Sequence, residues 1–558
     1  MIRSRIKKCL DECFQAGVEQ GLWSEAAKGS YAVEDPKFEG QGDFATNAAM
    51  VIAGCEKKVS GKKANPRQIA EQLVALMGNA NPLFVKLEVA GPGFVNFFIR
   101  ESEWQSVIPE IWREQDTYGR TPAKNGKRVL VEFVSANPTG PLSVGHGRQA
   151  ALGDAIARLL AASGYEVDRE YYYNDAGRQM RVLGESTRAR YLELLGLPHQ
   201  FPEDGYQGEY ILDIARSLVD KYGDSLKDTA EVTPFKEAAE KAIFADIDQT
   251  LKRFDVTFDS YYNEHSLYEN GLVDDVVSAL RDRGLVYDQD GAVWFKTTEF
   301  GHDKDRVIIK STGEPTYRLP DIAYHREKFR RGYDWLVDIF GSDHIATVPD
   351  VLAGVRALGY DESKVTVILH QFVTLLRDGQ QVKMSTRKAN FVTVDELLDE
   401  VGADAARFFF LMRKADSQLE FDLDLAKKQS QENPVYYVQY GHARLVSIDR
   451  QAKEKGVDRG ELAAARLALL TMPEELKILK ALAAYPELVL DAADDLAPHR
   501  IVYYLQELAG LFHSYYNKHK VISDDAELCR ARLWFCAALR IVFHNGLTLL
   551  GMHAPEQM

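Results

Sequence analysis

The chain has 558 residues, 46% of them hydrophobic and 27% charged, ordinary globular fractions that exclude a disordered or fibrous protein. At about 150 residues per domain, three or four domains are expected. With 68 basic against 83 acidic residues the net charge is −15, which works against a protein that coats polyanions but not against one that grips RNA through local basic patches.

Residues 1 to about 116 read as a mixed α+β region. A helical start leads into the turn-rich stretch YAVEDPKFEGQGDFATNAAM, then a helix near Pro66–Met77. VKLEVAGPGFVNFFI alternates as a strand pair would, with Gly91-Pro92-Gly93 as its turn. The polar stretch 113–128 has the composition of a linker. RVLVEFV at 128–134 is a near-continuous apolar run, as in a parallel strand covered on both faces. Beyond the loop SANPTGPLSVGHG, residues Leu152, Ala155, Ile156, Leu159 and Leu160 follow helical spacing, and Gly164 ends that helix. YEVDREYYY is the next strand, completing a βαβ unit. DWLVDIF, a helix from about Thr347, and KVTVILHQF at 364–372 continue the pattern, with a helical insertion at roughly 178–285. From about 394 no further strand is expected. The stretches 432–455, 459–484, 497–518 and 526–550 read as a helical bundle. The expected fold is multidomain α/β: a Rossmann-type parallel-sheet domain at 117–415 with that insertion, a mixed α+β domain at 1–116 and an all-α bundle at 416–558.

No apolar run approaches the ~20 residues of a membrane-spanning helix. The N-terminal MIRSRIKKCLDECFQAG has no apolar segment of signal-peptide length. Cys9, Cys13, Cys55, Cys529 and Cys536 form no CxxC pair, which fits a reducing compartment and argues against structural zinc. A soluble, cytoplasmic protein is expected.

Two motifs carry chemistry. ANPTGPLSVGHG joins a buried strand to a helix N-terminus, whose unpaired N–H groups favour phosphate. Gly145 lets a ligand approach, His146 offers an imidazole donor, and Gly140 and Pro141 shape the turn. On its own the string is equally a plain strand-to-helix turn. KMSTRKA at 383–389 follows a glycine-containing polar stretch and has lysines to clamp a triphosphate, or forms a solvated basic turn.

Together SVGH at 143–146 and KMSTR at 383–387 resemble the HIGH and KMSKS elements of class I aminoacyl-tRNA synthetases. Along the whole chain, QGDFATNAA, GPGFVNFFI, VEFVSANPTGPLSVGHGR, YYYNDAGRQM, GADAARFFFL, NPVYYVQYGHARLVSI and the ending APEQM resemble the bacterial-type arginyl-tRNA synthetase family. That resemblance implies an additional tRNA-binding domain at the N-terminus, a class I catalytic domain and an anticodon-binding bundle. It implies ATP-dependent activation of L-arginine and its transfer to tRNA(Arg), with ATP as a substrate, Mg²⁺ accompanying it, no zinc, no membrane and a monomeric enzyme.

The residue roles follow from the same resemblance. Ser143, His146, Lys383 and Arg387 or Lys388 would act on the triphosphate. Asn137, Pro138, Gly140, Gly145, Gly341, Asp343, Met384 and Ser385 would complete the ATP site, and Glu132, Ser135, Asn137, Tyr317, Asp321 and His344 the arginine site. The chemistry agrees: a guanidinium wants carboxylates. Glu132 lies in an otherwise apolar strand and needs a partner, be it substrate or a buried structural cation, while Asp321 is equally a helix-start acid. Ser143 stands where the family usually has histidine, and Thr386 where it usually has the second lysine. Lys57, Lys58, Lys62, Lys63, Arg67, Tyr503, Tyr504, Tyr515 and Tyr516 are candidates to meet RNA, or belong to a solvated face and a bundle core. Another class I synthetase, or a non-catalytic RNA-binding paralogue, are the alternatives.

Overall fold

The structure, a computed structural model, describes the chain except residues 39, 62–63, 79–80, 230 and 383–391. Its centre is a five-stranded, all-parallel sheet in the order Val365–His370, Trp335–Gly341, Arg128–Glu132, Glu166–Tyr173, Ser260–Asn263. Numbered along the chain, that order is 3-2-1-4-5 from one edge, so strand order reverses between 128–132 and 335–341. Such switch points open a crevice at the carboxyl ends of the strands. Val129, Leu130 and Val131 are fully buried, as their apolar run implied. Helix Val144–Ala162 covers one face and Arg318–Arg330 the other side of the crevice.

The N-terminal region is a four-stranded antiparallel sheet. Its hairpin turns through Gly91 (φ 52°) and Gly93 (φ 139°), backbone that glycine adopts without strain. The helix Ala48–Ser60, unforeseen, joins the foreseen Pro66–Met77.

Three expectations are corrected. The insertion is not purely helical. After helices Gly177–Leu194, Glu209–Tyr222 and Thr233–Arg253, its strand Ser260–Asn263 becomes the edge of the central sheet. Just past its expected end, Val286–Gln289 pairs with Ala292–Phe295 through Asp290-Gly291. Both turn residues have positive φ, 53° and 76°, the backbone a two-residue hairpin demands. A strand also follows residue 394: Leu419–Asp422 runs parallel to Val373–Arg377. Finally, the linker-like stretch is packed. Tyr118 is buried and donates to the Leu482 carbonyl at 2.8 Å, and Asn545 donates to the carbonyls of Gln115 and Tyr118.

The C-terminal helices are Pro434–Glu454, Pro473–Asp494, His499–Lys518 and Ala526–Leu549. The second starts later than its spacing suggested, at a proline in the first helical position. Among the described residues no helix is long and apolar enough to cross a membrane.

Candidate active site

A cavity of about 950 Å³ opens at the switch point, walled by Glu132 at the end of one central strand and Val134 just beyond it, Phe340 and Gly341 from the neighbouring strand, and the first turn of helix 144–162. Its two ends differ in charge.

One end is acidic. The parallel register sets Glu170, Glu132 and Asp338 side by side on three adjacent strands, and all three are buried. Helix 318–330 lies across this row. Asp321, Tyr324, His325 and Lys328 fall at i, i+3, i+4 and i+7, so one helical face presents them together. Lys328 Nζ donates to Glu132 Oε2 at 2.5 Å and to Asp338 Oδ1 at 2.7 Å. His325 Nε2 is 2.9 Å from Asp338 Oδ2, and Arg331, just past the helix, donates to both Glu170 oxygens at 2.6 and 2.7 Å.

Burial alone would raise Asp338, but Lys328 and His325 hold it well below the usual carboxylate range. Burial lifts Glu132 above that range despite Lys328, with the Asp338 charge adding to the lift. Asp321 is different. Among the described residues its carboxylate has no hydrogen-bond or ion-pair partner, it lines the cavity, and burial pushes it up to about 7. Glu264, from the insertion, is also raised by burial and accepts from Tyr172 and Asn174 at 2.9 and 2.8 Å. This end therefore carries more acid than base.

The link between strand and helix is unusual backbone. Val134 and Ser135 both have left-handed φ, 68° and 42°, costly for a β-branched residue. The turn aims Ser135 Oγ back to donate to Glu132 Oε1 at 2.9 Å while accepting from the Tyr172 N–H at 3.2 Å. Asn137 bridges to the next strand, accepting from the Asn174 N–H at 3.0 Å and donating to Gln179 at 3.1 Å.

The other end is the N-terminus of helix 144–162. Ser143 is its cap, and His146, three residues on, turns its ring back so that Nδ1 accepts from the Ser143 N–H at 3.2 Å, a capping box with histidine in the third position. Ser143 Oγ is 3.2 Å from the same nitrogen. The ring therefore keeps its proton on Nε2, and burial holds it below the usual histidine range: His146 is a neutral donor. Burial also pushes His370, across the cavity, down to about 4. Thr393 bridges to Ser143, and Val394 donates to the Leu142 carbonyl at 2.8 Å, so the chain leaving the second motif is tied to the start of the first.

Of the residues singled out from sequence, Glu132, Ser135, Asn137, Ser143, Gly145, His146, Tyr317, Asp321, Gly341, Asp343 and His344 all line this one cavity. Pro138 and Gly140 do not. Pro138 is buried behind the wall, and Gly140 packs against the Tyr210 hydroxyl. Lys383, Met384, Ser385, Arg387 and Lys388 lie outside the described residues, as do Lys62 and Lys63. Of the RNA candidates, Lys57, Lys58, Arg67 and Tyr503 are exposed. Tyr515 is fully buried in the bundle and Tyr504 donates inward to the Ala481 carbonyl, so core packing accounts for both.

Sequence reading missed Tyr172, Glu264, Gln149 and His370, which also line the cavity, and the partners of the acid row. The polar i, i+3, i+4, i+7 face of helix 318–330 was the available signal for Lys328. Glu264 had none, because it follows a strand read as helical insertion.

Three family models match in succession: the arginyl tRNA synthetase N terminal domain at residues 1–99, the tRNA synthetases class I (R) catalytic domain at 107–422, and the DALR anticodon binding domain at 438–558. Sheet order, crevice and helix N-terminus thus define a class I aminoacyl-tRNA synthetase catalytic domain. The arginine–tRNA ligase of Desulfotalea psychrophila is 63% identical over 558 residues, all of both chains. That of Syntrophotalea carbinolica is 50% identical over 560 aligned positions, again all of both. The Thermus thermophilus arginyl-tRNA synthetase structure covers all of both chains with a TM-score of 0.75 at 23% identity, a likeness of fold. The chain belongs to the arginyl-tRNA synthetase family.

Proposed function

We propose a residue-level account of how this chain, a class I arginine–tRNA ligase, joins L-arginine to tRNA(Arg) with ATP. One observation carries it: a carboxylate without a partner among the described residues, Asp321, at the acid-lined end of the same cavity that the N-terminus of helix 144–162 enters from the other side. Arginine lies with its guanidinium on Asp321 and Tyr317 and its α-amino end toward Asn137, Ser135 and Glu132, and Lys328 keeps Glu132 in place beneath it. His344 closes the arginine side. ATP lies along Asn137, Gly145, Gly341 and Asp343, with Pro138 and Gly140 shaping the loop from behind. His146 Nε2–H and Ser143 face its phosphates, and Lys383, Met384, Ser385, Arg387 and Lys388 act from the second motif.

An arginine carboxylate oxygen attacks the α-phosphorus. The bond to the bridging oxygen breaks, and diphosphate leaves with its electron pair. The terminal ribose hydroxyl of tRNA then attacks the arginyl carbonyl and AMP departs. Neither step needs a protein nucleophile, so the chain contributes position and charge. The phosphate end presents one acid, Asp343, a donor set that suits Mg²⁺ held mainly by phosphate and water. The domains divide at 1–116, 117–415 and 416–558, with strand Leu419–Asp422 at the start of the last returning to pair with Val373–Arg377 of the catalytic domain. The enzyme works in the cytoplasm as a monomer, as the family resemblance implies.

The test is ATP–diphosphate exchange in the presence of tRNA, offering arginine, citrulline and methionine. Exchange with arginine and none with citrulline, its neutral near-isostere, is expected. Equal exchange with citrulline would overturn the role given to Asp321.

A further inference from the structure

We propose that Arg148, buried beneath the phosphate end of the cavity, supplies a fixed positive charge that holds the ATP triphosphate. The inference rests on placing the phosphates at the N-terminus of helix 144–162.

Arg148 lies two residues beyond His146 on that helix and is 1% exposed. Its guanidinium donates only to neutral groups: Nη1 to the Gln371 carbonyl at 2.6 Å, Nη2 to the carbonyls of Lys414 and Ser417 at 2.9 and 3.0 Å. Among the described residues no ion pair reaches it; Asp416 acts on it through space without a hydrogen bond. The other deeply buried arginines behave differently. Arg407 pairs with Asp154 and Arg532 with Glu475 at 2.8 Å.

A buried charge is expensive unless paired, and burial here pushes Arg148 down to about 10. It is still a cation at neutral pH. A cation kept in the fold at that cost, its donors satisfied by carbonyls and, among the described residues, only Asp416 opposing its charge and from a distance, is placed for a counter-charge that arrives from outside. It sits against the cavity wall: the Gln371 carbonyl it holds lies between His370 and Phe372, which both line the cavity, and its charge adds to the burial that keeps His370 low, with the Gln371 carbonyl and Asp343 opposing. The helix N-terminus adds partial positive charge in the same direction.

Apart from the cations of the second motif, the donors of the phosphate end are uncharged. Ser143 is uncharged, His146 is held neutral and Thr386 is uncharged. The described wall of the phosphate end thus has strong donors but no cation of its own, while a triphosphate brings several negative charges. Arg148 acts through space, and its three carbonyl ties also fix the helix to the segments at 371 and 414–417, so charge and tethering must be separated.

The full-length enzyme is titrated calorimetrically with ATP, inorganic tripolyphosphate and adenosine. Arg148→Gln removes the charge and keeps amide donors; Arg148→Lys keeps the charge and loses the planar fork. Arg148→Gln is expected to weaken ATP and tripolyphosphate about ten- to thirty-fold, the size of a through-space charge interaction at intermediate dielectric, with adenosine unchanged within about twofold. Arg148→Lys is expected to stay within about threefold of the parent for all three probes. Equal losses in both variants, or no loss in either, would overturn the proposal. Should Arg148→Gln not fold, Arg148→Lys decides alone: retained ATP affinity supports the charge, and a tenfold or greater loss rejects it. His146→Ala separates this inference from the reading beneath it. If tripolyphosphate binding survives that change too, the phosphate end itself is misplaced. If it suffers there and not in Arg148→Gln, only the role of Arg148 falls.

Discussion

Asp321 shows how one side chain is made a receptor by being left unsatisfied. Its neighbours on the helix face spend their hydrogen bonds on the acid row, and Asp321 alone turns an unpaired carboxylate to the cavity. Asp321→Asn keeps the shape and removes the charge. It should weaken arginine by roughly 2–4 kcal/mol, about 30- to 1000-fold, with ATP little affected; an unchanged arginine KM would reject the assignment. The sign of the pH effect follows from burial. With its pKa raised to about 7, Asp321 is charged above pH 7 and gains a proton below it, and the guanidinium needs the charged form. Arginine affinity is therefore full above pH 8 and falls by up to about tenfold per unit below 7. KM measured from pH 6 to 8.5 checks this, and the slope should vanish in Asp321→Asn. At the opposite end, Ser143→Ala removes one neutral hydroxyl and should slow single-turnover adenylate formation only about 2- to 12-fold. His146→Ala removes the donor whose tautomer the Ser143 N–H sets, at a cost of about 10²- to 10³-fold. Equal damage from the two changes would mean that serine, not histidine, carries the phosphate contact.

At the scale of elements, helix 318–330 is a polar staple across the central sheet. Three carboxylates in register on adjacent parallel strands would repel one another in a dry interior. Lys328 between two of them and Arg331 on the third make the arrangement tolerable. Lys328→Met strands Glu132, leaves Asp338 with His325 alone, and should cost about 3–5 kcal/mol of unfolding free energy. In the parent, Asp338 is held below the ordinary carboxylate value, so its contribution is complete above that value and fades only as acid reaches its depressed one. In the variant the abandoned carboxylates favour protons, so the penalty should shrink as pH falls from 8 to 5. Urea unfolding of parent and variant across that range reads the shrinking penalty, and a pH-independent loss would contradict the pairing.

The whole molecule places the anticodon-binding bundle against both other regions. The 113–128 stretch, which looked like a free linker, is clasped by the bundle through Tyr118 and Asn545, and the N-terminal region adds Arg3 to Glu487 at 2.8 Å and Gln105 to the Leu470 carbonyl at 3.1 Å. RNA bound along these surfaces would be felt at the catalytic domain. Tyr317, at the cavity rim, is 85% exposed in the chain alone, so the arginine end is open without its partner. Diphosphate exchange is accordingly expected only when tRNA is present, in line with the family resemblance. Vigorous exchange in its absence would show that the cavity needs no such closure.

The sequence by itself determined most of the architecture and the list of candidate residues. The βαβ unit, the hairpin at Gly91–Gly93 and the helices of the bundle are written in local periodicity and punctuation, because backbone sterics and amphipathic burial act over a few residues. The residues of the first motif were legible because they join a strand end to a helix start. Tertiary structure alone decided the rest. Short strands such as Ser260–Asn263 and Leu419–Asp422 exist because a neighbouring strand offers its edge, and four residues carry too little pattern to announce that. The register that aligns Glu170, Glu132 and Asp338, the lysine that neutralises two of them and the arginine left without an acid are all contacts between residues far apart in the chain. Their energies depend on who is buried beside whom, and no local window of sequence contains that information.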